Sequence, residues 1–376
     1  MDFSPRPEHL EVMAVARRIA DELAPGYVER ERAGTYPWKP LAVLGDVGLL
    51  GLNVAEDAGG QGAGELLTGF VCEILGRADY ALPLMLMEAG SVAKLLHLHG
   101  SPAAQERWLP ELIAGRASAG LAFTESGAGS DLKAANRATR ASQDGDTWVV
   151  QGEKCSMSYV DSQLAIVLAG TPDGPALLCV PTDEAGVTVA PFEDMGASQL
   201  GRAVVSFDGV RVPGDALLGT VGKGLNAALS ALTSSKIHVA AATLGVAAAS
   251  LDEALEWAKQ RETFGAALAT RQGVMFPLVD MYTQLEAARL LVHKALWLVD
   301  NDRPFVQEAA MVKAWVPALA ARICHESLLV LGNVGYSREH PAQARLRDVI
   351  GAELGEGTAN IQRLIAARCL TGQSAT

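Results

Sequence analysis

Aromatic residues make up only 5% of this 376-residue chain, while alanine and leucine dominate. That shortage argues against a large sheet-rich core and favours closely packed helices. Cysteine is also sparse. The five cysteines (Cys72, Cys155, Cys179, Cys324, Cys369) are scattered, odd in number and never spaced CxxC, so a complete internal disulfide framework is excluded. They read as buried, reduced thiols of a cytoplasmic protein. Basic residues are outnumbered, 31 Lys and Arg against 43 Asp and Glu, for a net charge of −12. A nucleic-acid surface needs clustered positive charge and is not expected. A local basic spot for an anionic ligand is still compatible with that balance. The start, MDFSPRPEHLEVMA, has no basic segment leading into an apolar one, so no signal peptide is expected. Charges break the apolar stretches before ~20 residues, so no membrane span is expected either. His97 and His99 sit two apart on a helical stretch and face different sides, and no metal site is expected.

Hydrophobic content of 49% and charged content of 20% are those of a globular protein, and the length suits two or three packed lobes. Residues 6–118 read as helical, interrupted by the glycine-rich stretch Gly48 to Gly64. In the first helix Leu10, Met13, Arg17, Ala20 and Leu23 recur at three- and four-residue steps, and Pro25-Gly26 ends the run. Helical stretches follow over Glu65–Leu75 and Ala89–Leu98, and Ser101-Pro102 reads as a further helix start. From Gly120 the pattern changes to short runs between Gly, Asp and Pro: Gly120–Thr124, Trp148–Cys155, Leu164–Gly170, Ala176–Val180, Val187–Pro191 and Ala203–Val212. They lie too close together for helical crossovers, which predicts an antiparallel sheet or barrel. Helical periodicity returns after Gly224. Leu251, Ala254, Leu255 and Ala258 share one face, and so do Met281, Leu285, Ala288, Val292 and Leu296. A third run spans Val306 to Leu331, which predicts a four-helix bundle. The expected layout is an N-terminal all-α domain over 1–118, a middle antiparallel β domain over 119–222 and a C-terminal helical bundle over 223–376.

Four segments could carry chemistry. Phe123 to Asp131 (FTESGAGSD) follows a strand and combines hydroxyls with glycines that let backbone amides approach a ligand. Gly152 to Ser158 (GEKCSMS) leaves another strand, again with hydroxyls. Arg261 to Gly265 (RETFG) ends a helix, with Gly265 as a candidate capping glycine. Arg261 there is either an exposed arginine at a capped helix or a planar fork for a pyrophosphate. Glu356 lies between Gly355 and Gly357 just before a helix, where Thr358 is placed to cap. Taken singly, each also reads as an ordinary turn or cap.

Their order is more informative. LAFTESGAGSDL, VVQGEKCSMS, RETFGAALATRQ and GYSREHPAQARLRDVIGAELGEGTANIQRLIAAR together resemble the acyl-CoA dehydrogenase family over about Ile19 to Leu370. The resemblance implies an α+β fold with FAD between the β domain and the bundle. It implies that Phe123, Thr124, Gly129 and Ser130 border the flavin and that Ser158 keeps a hydroxyl near its N5, with Ser156 beside it. Arg261, Phe264, Gln272 and Gly332 would reach the FAD of a neighbouring subunit in a homodimer or homotetramer, and Thr358 and Asn360 the cofactor's phosphate region. Ser130, Thr233, Lys236 and Gly357 fall on substrate-side positions. Glu356 falls on the base that removes the α-proton of an acyl thioester while the flavin takes the β-hydride. The expected electron acceptor is an electron-transferring flavoprotein.

The chain also departs from the family pattern. Ser156 stands where many members have an aromatic, and Ser126 replaces a proline. Leu329 and Asn333 replace a glutamine and a glycine. Thr233 and Lys236 replace an Asp and an Arg that often contact the CoA arm. Those changes keep an acyl carrier protein open as the thioester handle, and a heteromeric enzyme open as the assembly. A flavin oxidase on the same scaffold is the competing activity.

Overall fold

The computed structural model describes residues 1–134 and 137–373. The last three residues of the expected C-terminal domain lie outside the described residues. Six α-helices come first: α1 (Pro7–Leu23), α2 (Tyr27–Ala33), α3 (Trp38–Asp46), α4 (Glu65–Ala78), α5 (Ala81–His99) and α6 (Pro102–Ile113). The α1 face that is buried is His9, Met13, Ala16, Ile19, Ala20 and Leu23. Leu10 and Arg17, expected on that face, are exposed, because the true stripe lies one position away from them. Ser101 caps α6 as expected, accepting from the Ala104 amide at 3.1 Å.

Seven strands follow: β1 (Ala119–Ala122), β2 (Arg140–Asp144), β3 (Thr147–Ser158), β4 (Leu164–Thr171), β5 (Gly174–Pro181), β6 (Val187–Pro191) and β7 (Arg202–Pro213). They form one sheet in the order β1-β4-β2-β3-β7-β6, with β5 also paired to β4. Most pairings are antiparallel, but β1 runs parallel to β4 in the register Ala119↔Leu164 to Ala122↔Val167. The long excursion through β2 and β3 between them makes the parallel return possible. Strand β2 carries no apolar alternation, since only Ala141 is buried, so its sequence did not mark it as a strand.

The C-terminal part begins with the 37-residue α7 (Gly224–Gln260). After a short hairpin, β8 (Glu262–Thr263) and β9 (Ala266–Ala267), come α8 (Gln272–Asp300), α9 (Val306–Leu331), α10 (Asn333–Tyr336), α11 (Pro341–Leu354) and α12 (Ala359–Leu370). The faces predicted for α7 and α8 are the buried ones, except that Leu255 is half-exposed. Small residues bring α4 and α7 into close contact. A Cβ on Gly245 would lie 2.1 Å from the Glu73 carbonyl, and one on Gly76 would lie 2.4 Å from that of Ala242.

The apolar interior forms two bodies rather than three. One joins α1, α3, α4 and the first half of α5 to α7, α8, α9 and α11. The other packs the sheet against the second half of α5, α6 and the start of α7. Helices α5 and α9 are long and apolar enough to cross a membrane by length and composition, although charges such as Glu88, Lys94 and Lys313 interrupt them. However, 67% and 56% of their apolar windows are buried within the protein, as in core helices.

Candidate active site

Helix α11 ends at Leu354, and the chain reverses through Glu356 (φ +55°) and Gly357 (φ +84°) before α12 starts. Glycine accepts that conformation freely. Glutamate does so at a cost of roughly 1–3 kcal/mol, which the surroundings must offset. Two side chains brace the turn. Gln362 Nε2 donates to the Glu356 carbonyl at 3.0 Å, and Lys313 Nζ donates to the Gly357 carbonyl at 3.2 Å. Thr358 caps α12 as predicted, accepting from the Ile361 amide at 3.5 Å. Asn360 Oδ1 accepts from Arg363 at 3.0 Å and is exposed.

The Glu356 side chain points back toward α7, where Ser235 Oγ donates to its Oε2 at 2.9 Å. Burial pushes the carboxyl above the ordinary carboxylate range, and the Ser235 bond and the ammonium groups of Lys236 and Lys313 oppose that rise. Lys313, 1% exposed on α9, is itself pushed down to about 8 by burial. Lys236, on α7, is shifted downward for the same reason. A carboxyl with raised proton affinity, near two ammonium groups that favour its ionised form, is suited to accept a proton. Ser235, Lys313 and Gln362 were not legible as site residues. Lys313 was the one with a signal, a charge placed inside the apolar run AAMVKAWV. Thr233, one turn before Lys236, spends its hydroxyl on its own helix at the Leu229 carbonyl, 2.9 Å away.

The two β-domain segments do come together. Thr124 Oγ1 donates to the Cys155 carbonyl, and the Cys155 amide returns a bond to the Thr124 carbonyl at 3.0 Å. Beneath them the fully buried Lys154 donates to the Phe123 carbonyl and to Glu125 Oε1, each at 3.0 Å. Glu125 in turn accepts from the Ala138 and Thr139 amides at 3.0 and 2.9 Å. The Thr124 hydroxyl and the backbone at Phe123, Thr124 and Cys155 are therefore held by one clasp. A bulge between Lys154 and Met157 sets Ser156 at φ +71°, with its Oγ accepting from Arg202 at 2.9 Å. The loop Gly127 to Ser130 is open. A Cβ added to Gly127 or Gly129 would meet nothing within 4 Å, so the chain's own packing does not require glycine there.

The segment Arg261 to Gly265 differs from expectation. Gly265 is not a helix-capping glycine: α7 stops at Gln260, and Phe264 (φ +50°) and Gly265 (φ +75°) form the two-residue turn of the β8–β9 hairpin. Two consecutive left-handed residues match the twist of paired strands, which is why the turn takes this form. Arg261 is exposed and makes no ion pair among the described residues. Phe264 is 99% exposed. Gln272, at the start of α8, and Gly332, at the end of α9 with φ +65°, are exposed as well. Among the described residues, no hydrogen bond or ion pair links these four to the Glu356 turn.

The N-terminal, middle and C-terminal domains of acyl-CoA dehydrogenases match residues 6–116, 120–210 and 222–371. The chain belongs to the acyl-CoA dehydrogenase family. A probable acyl-CoA dehydrogenase of Bacillus subtilis is 34% identical over 98% of this chain and 100% of its own. The butyryl-CoA dehydrogenase of Megasphaera elsdenii superposes with a TM-score of 0.93 at 30% identity, over 99% of this chain and 100% of that one. A glutaryl-CoA dehydrogenase of Mycobacterium smegmatis, solved with FADH2, gives a TM-score of 0.93 at 26% identity, over 99% and 96% of the two chains. As a member of this family the protein is an FAD-dependent oxidoreductase that dehydrogenates acyl-CoA thioesters. The open Gly127–Ser130 loop, the clasped hydroxyl of Thr124 and the unpaired Arg261 fit a flavin with a phosphate-bearing tail.

Proposed function

We propose that Glu356 is the base that removes the α-proton of the acyl thioester, giving the 2-enoyl thioester. The observation that carries this is the part-buried Glu356 carboxyl, which accepts from Ser235 and lies within reach of the charges of Lys236 and Lys313, on a strained, braced turn. Burial raises its proton affinity and makes it a stronger base, while the two lysines keep enough of it ionised to act. Bound FAD supplies the acceptor for the β-hydride. The Glu356 amide, with the Gly357 turn behind it, is assigned to the thioester carbonyl, where negative charge develops as the proton leaves. Phe123, Thr124, Gly129, Ser130, Ser156 and Ser158 are assigned to the flavin side, and Thr358 and Asn360 to its phosphates. Ser130, Thr233 and Lys236 are assigned to the thioester arm, borne by CoA or by an acyl carrier protein. Arg261, Phe264, Gln272 and Gly332 are assigned to the FAD of a second copy, in a homodimer or homotetramer. The exposed Phe264 ring is the main support for that assembly. An electron-transferring flavoprotein is the proposed acceptor and the cytoplasm the proposed location, with domains divided at 118/119 and 222/223. The test is an anaerobic screen of acyl-CoAs and acyl carrier protein thioesters against the purified yellow protein. Loss of the flavin absorbance with at least one of them is expected, and a flavin that no thioester bleaches would overturn the activity.

Arg261→Ala is expected to weaken FAD retention with little effect on the bleaching rate of FAD-saturated enzyme. A charge-assisted bond to a phosphate is worth roughly 1.5–3 kcal/mol and lies far from the reacting carbons. Flavin occupancy after dialysis measures it, and an occupancy equal to wild type would remove Arg261 from the cofactor.

Lys313→Met is expected to raise the proton affinity of Glu356, because it deletes one of the two charges that favour the carboxylate. The remaining charged or titratable groups around Glu356 are Lys236 on α7, Glu88 on α5 and Tyr80 just before it, and Tyr159 after β3. The acid limb of the bleaching rate should therefore move to higher pH. Rate against pH for the two proteins decides the matter, and superimposable acid limbs would show that Lys313 only braces the turn.

A further inference from the structure

Glu88 lies on α5, in the third turn of that helix, and is not used by the proposed chemistry. Its Oε1 is fully enclosed and has no protein partner among the described residues. The main-chain amide of Leu121, in β1, serves the same carboxyl. Glu88 is close enough to Glu356 for the two charges to interact, and Tyr36 and Tyr159 feel it as well. Neither phenol is free to satisfy it. Tyr36 shares a 2.8 Å bond with Ser118 Oγ, and Tyr159 donates to the Leu84 carbonyl at 2.7 Å. The two rings meet edge to face, with centroids 6.2 Å apart, and both are buried. Burial first, and the Glu356 charge second, hold the Glu88 carboxyl well above the ordinary range. That shift favours the uncharged acid, which offers one O–H donor and one acceptor. An enclosed polar group left without a partner costs about 1–3 kcal/mol, and a polar group from outside the chain that bonded to Oε1 would remove that cost.

We propose that the Glu88 carboxyl forms a polar subsite for the acyl group, and that the preferred thioesters carry an uncharged hydrogen-bonding group, a hydroxyl, carbonyl or amide, beyond the β-carbon. This rests on Glu356 marking the reacting end of the thioester. An acyl group ending in a carboxylate is disfavoured, because it would bring a second negative charge beside that of Glu356. An all-carbon chain leaves Oε1 unsatisfied and gains only apolar contact.

The test uses the FAD-loaded enzyme and chain-matched acyl-CoAs. These are straight alkanoyl thioesters, the same chains with a hydroxyl or an amide near the far end, and the same chains ending in a carboxylate. Anaerobic flavin bleaching gives kcat/KM for each. The best hydroxyl or amide thioester should exceed its matched alkanoyl thioester by about 10-fold or more, the discrimination expected when a substrate polar group completes a site built for it. Glu88→Leu should abolish or reverse that ratio, while Glu88→Gln, which keeps a donor and an acceptor, should preserve most of it. An alkanoyl chain equal to or better than every polar partner would overturn the proposal on wild-type enzyme alone. So would a carboxylate-ended chain as the best substrate, or a ratio unchanged in Glu88→Leu. The base assignment is tested separately, since Glu356→Gln should stop bleaching by whichever thioester is used and leaves the wild-type ratios untouched.

Discussion

Glu356→Gln is expected to retain the fold, the FAD and thioester binding, and to slow substrate bleaching of the flavin by about 10²- to 10⁴-fold or more. The reasoning starts from the turn. Gln has nearly the volume of Glu and can keep the bond from Ser235, so the braces from Gln362 and Lys313, which reach backbone carbonyls, are untouched. The amide, however, cannot accept a proton from carbon. Removing the charge leaves Lys236 and Lys313 without the carboxylate between them, so their proton affinity should fall further, but neither lies on the assigned flavin side. Glu356→Asp should fall between the two proteins, because one methylene fewer draws the carboxylate off line. The measurement is stopped-flow bleaching of equal amounts of FAD-loaded proteins with the best thioester of the screen. A Gln enzyme that bleaches at the wild-type rate would mean that the proton goes to another residue.

Arg30→Met should produce the largest loss of stability. Asp79 is completely buried, and Arg30 reaches its Oδ2 through Nε at 3.1 Å and Nη2 at 2.8 Å. The same guanidinium holds the Leu23 carbonyl at 2.7 Å, while Gln199 and the Ala81 amide occupy the other carboxylate oxygen at 2.8 and 2.9 Å. Burial raises the Asp79 pKa even with Arg30 in place. Without it the charge is left uncompensated, which typically costs roughly 3–5 kcal/mol. A Tm lowered by on the order of 5–10 °C is expected. The sign with pH follows from the raised pKa. The folded protein binds the Asp79 proton more tightly than the unfolded chain does, so this contribution to stability falls as pH rises from the ordinary carboxylate range toward the folded value. Removing Arg30 widens that window, so the Tm gap between the two proteins should be smaller near about pH 5 than near about pH 8. Calorimetry at both values measures it, and a variant melting with the wild type at each would show that the ion pair is not the stabilising contact.

The helices and most strands were legible because each buries one face against a neighbour and so imposes a period on its residues. Val306–Leu331 and Val187–Pro191 coincide with the elements read from the pattern. β2 was missed because an almost wholly exposed strand carries no such period. The turn at Phe264-Gly265 was misjudged because a glycine after a helical run suits both a helix cap and a two-residue hairpin, and only the pairing of Thr263 with Ala266 separates them. Glu356 stood out through its flanking glycines and its place in the family pattern. Ser235, Lys313, Gln362 and Glu88 did not, since a single polar residue on a long helix has no spacing that marks it.

The sequence by itself determined the family, the three-part order of helix, sheet and helix, and the residue types at the Glu356 turn, because these depend on local period and on short ordered motifs. Only the tertiary structure decided that the outer helices share one core, that β1 closes parallel on β4, and that two lysines, a serine and a glutamate from α5, α7 and α9 surround one carboxylate. Those outcomes depend on which distant surfaces exclude water together, and burial is the largest cause that moves the proton affinities of Glu356, Lys313 and Glu88 away from their ordinary values.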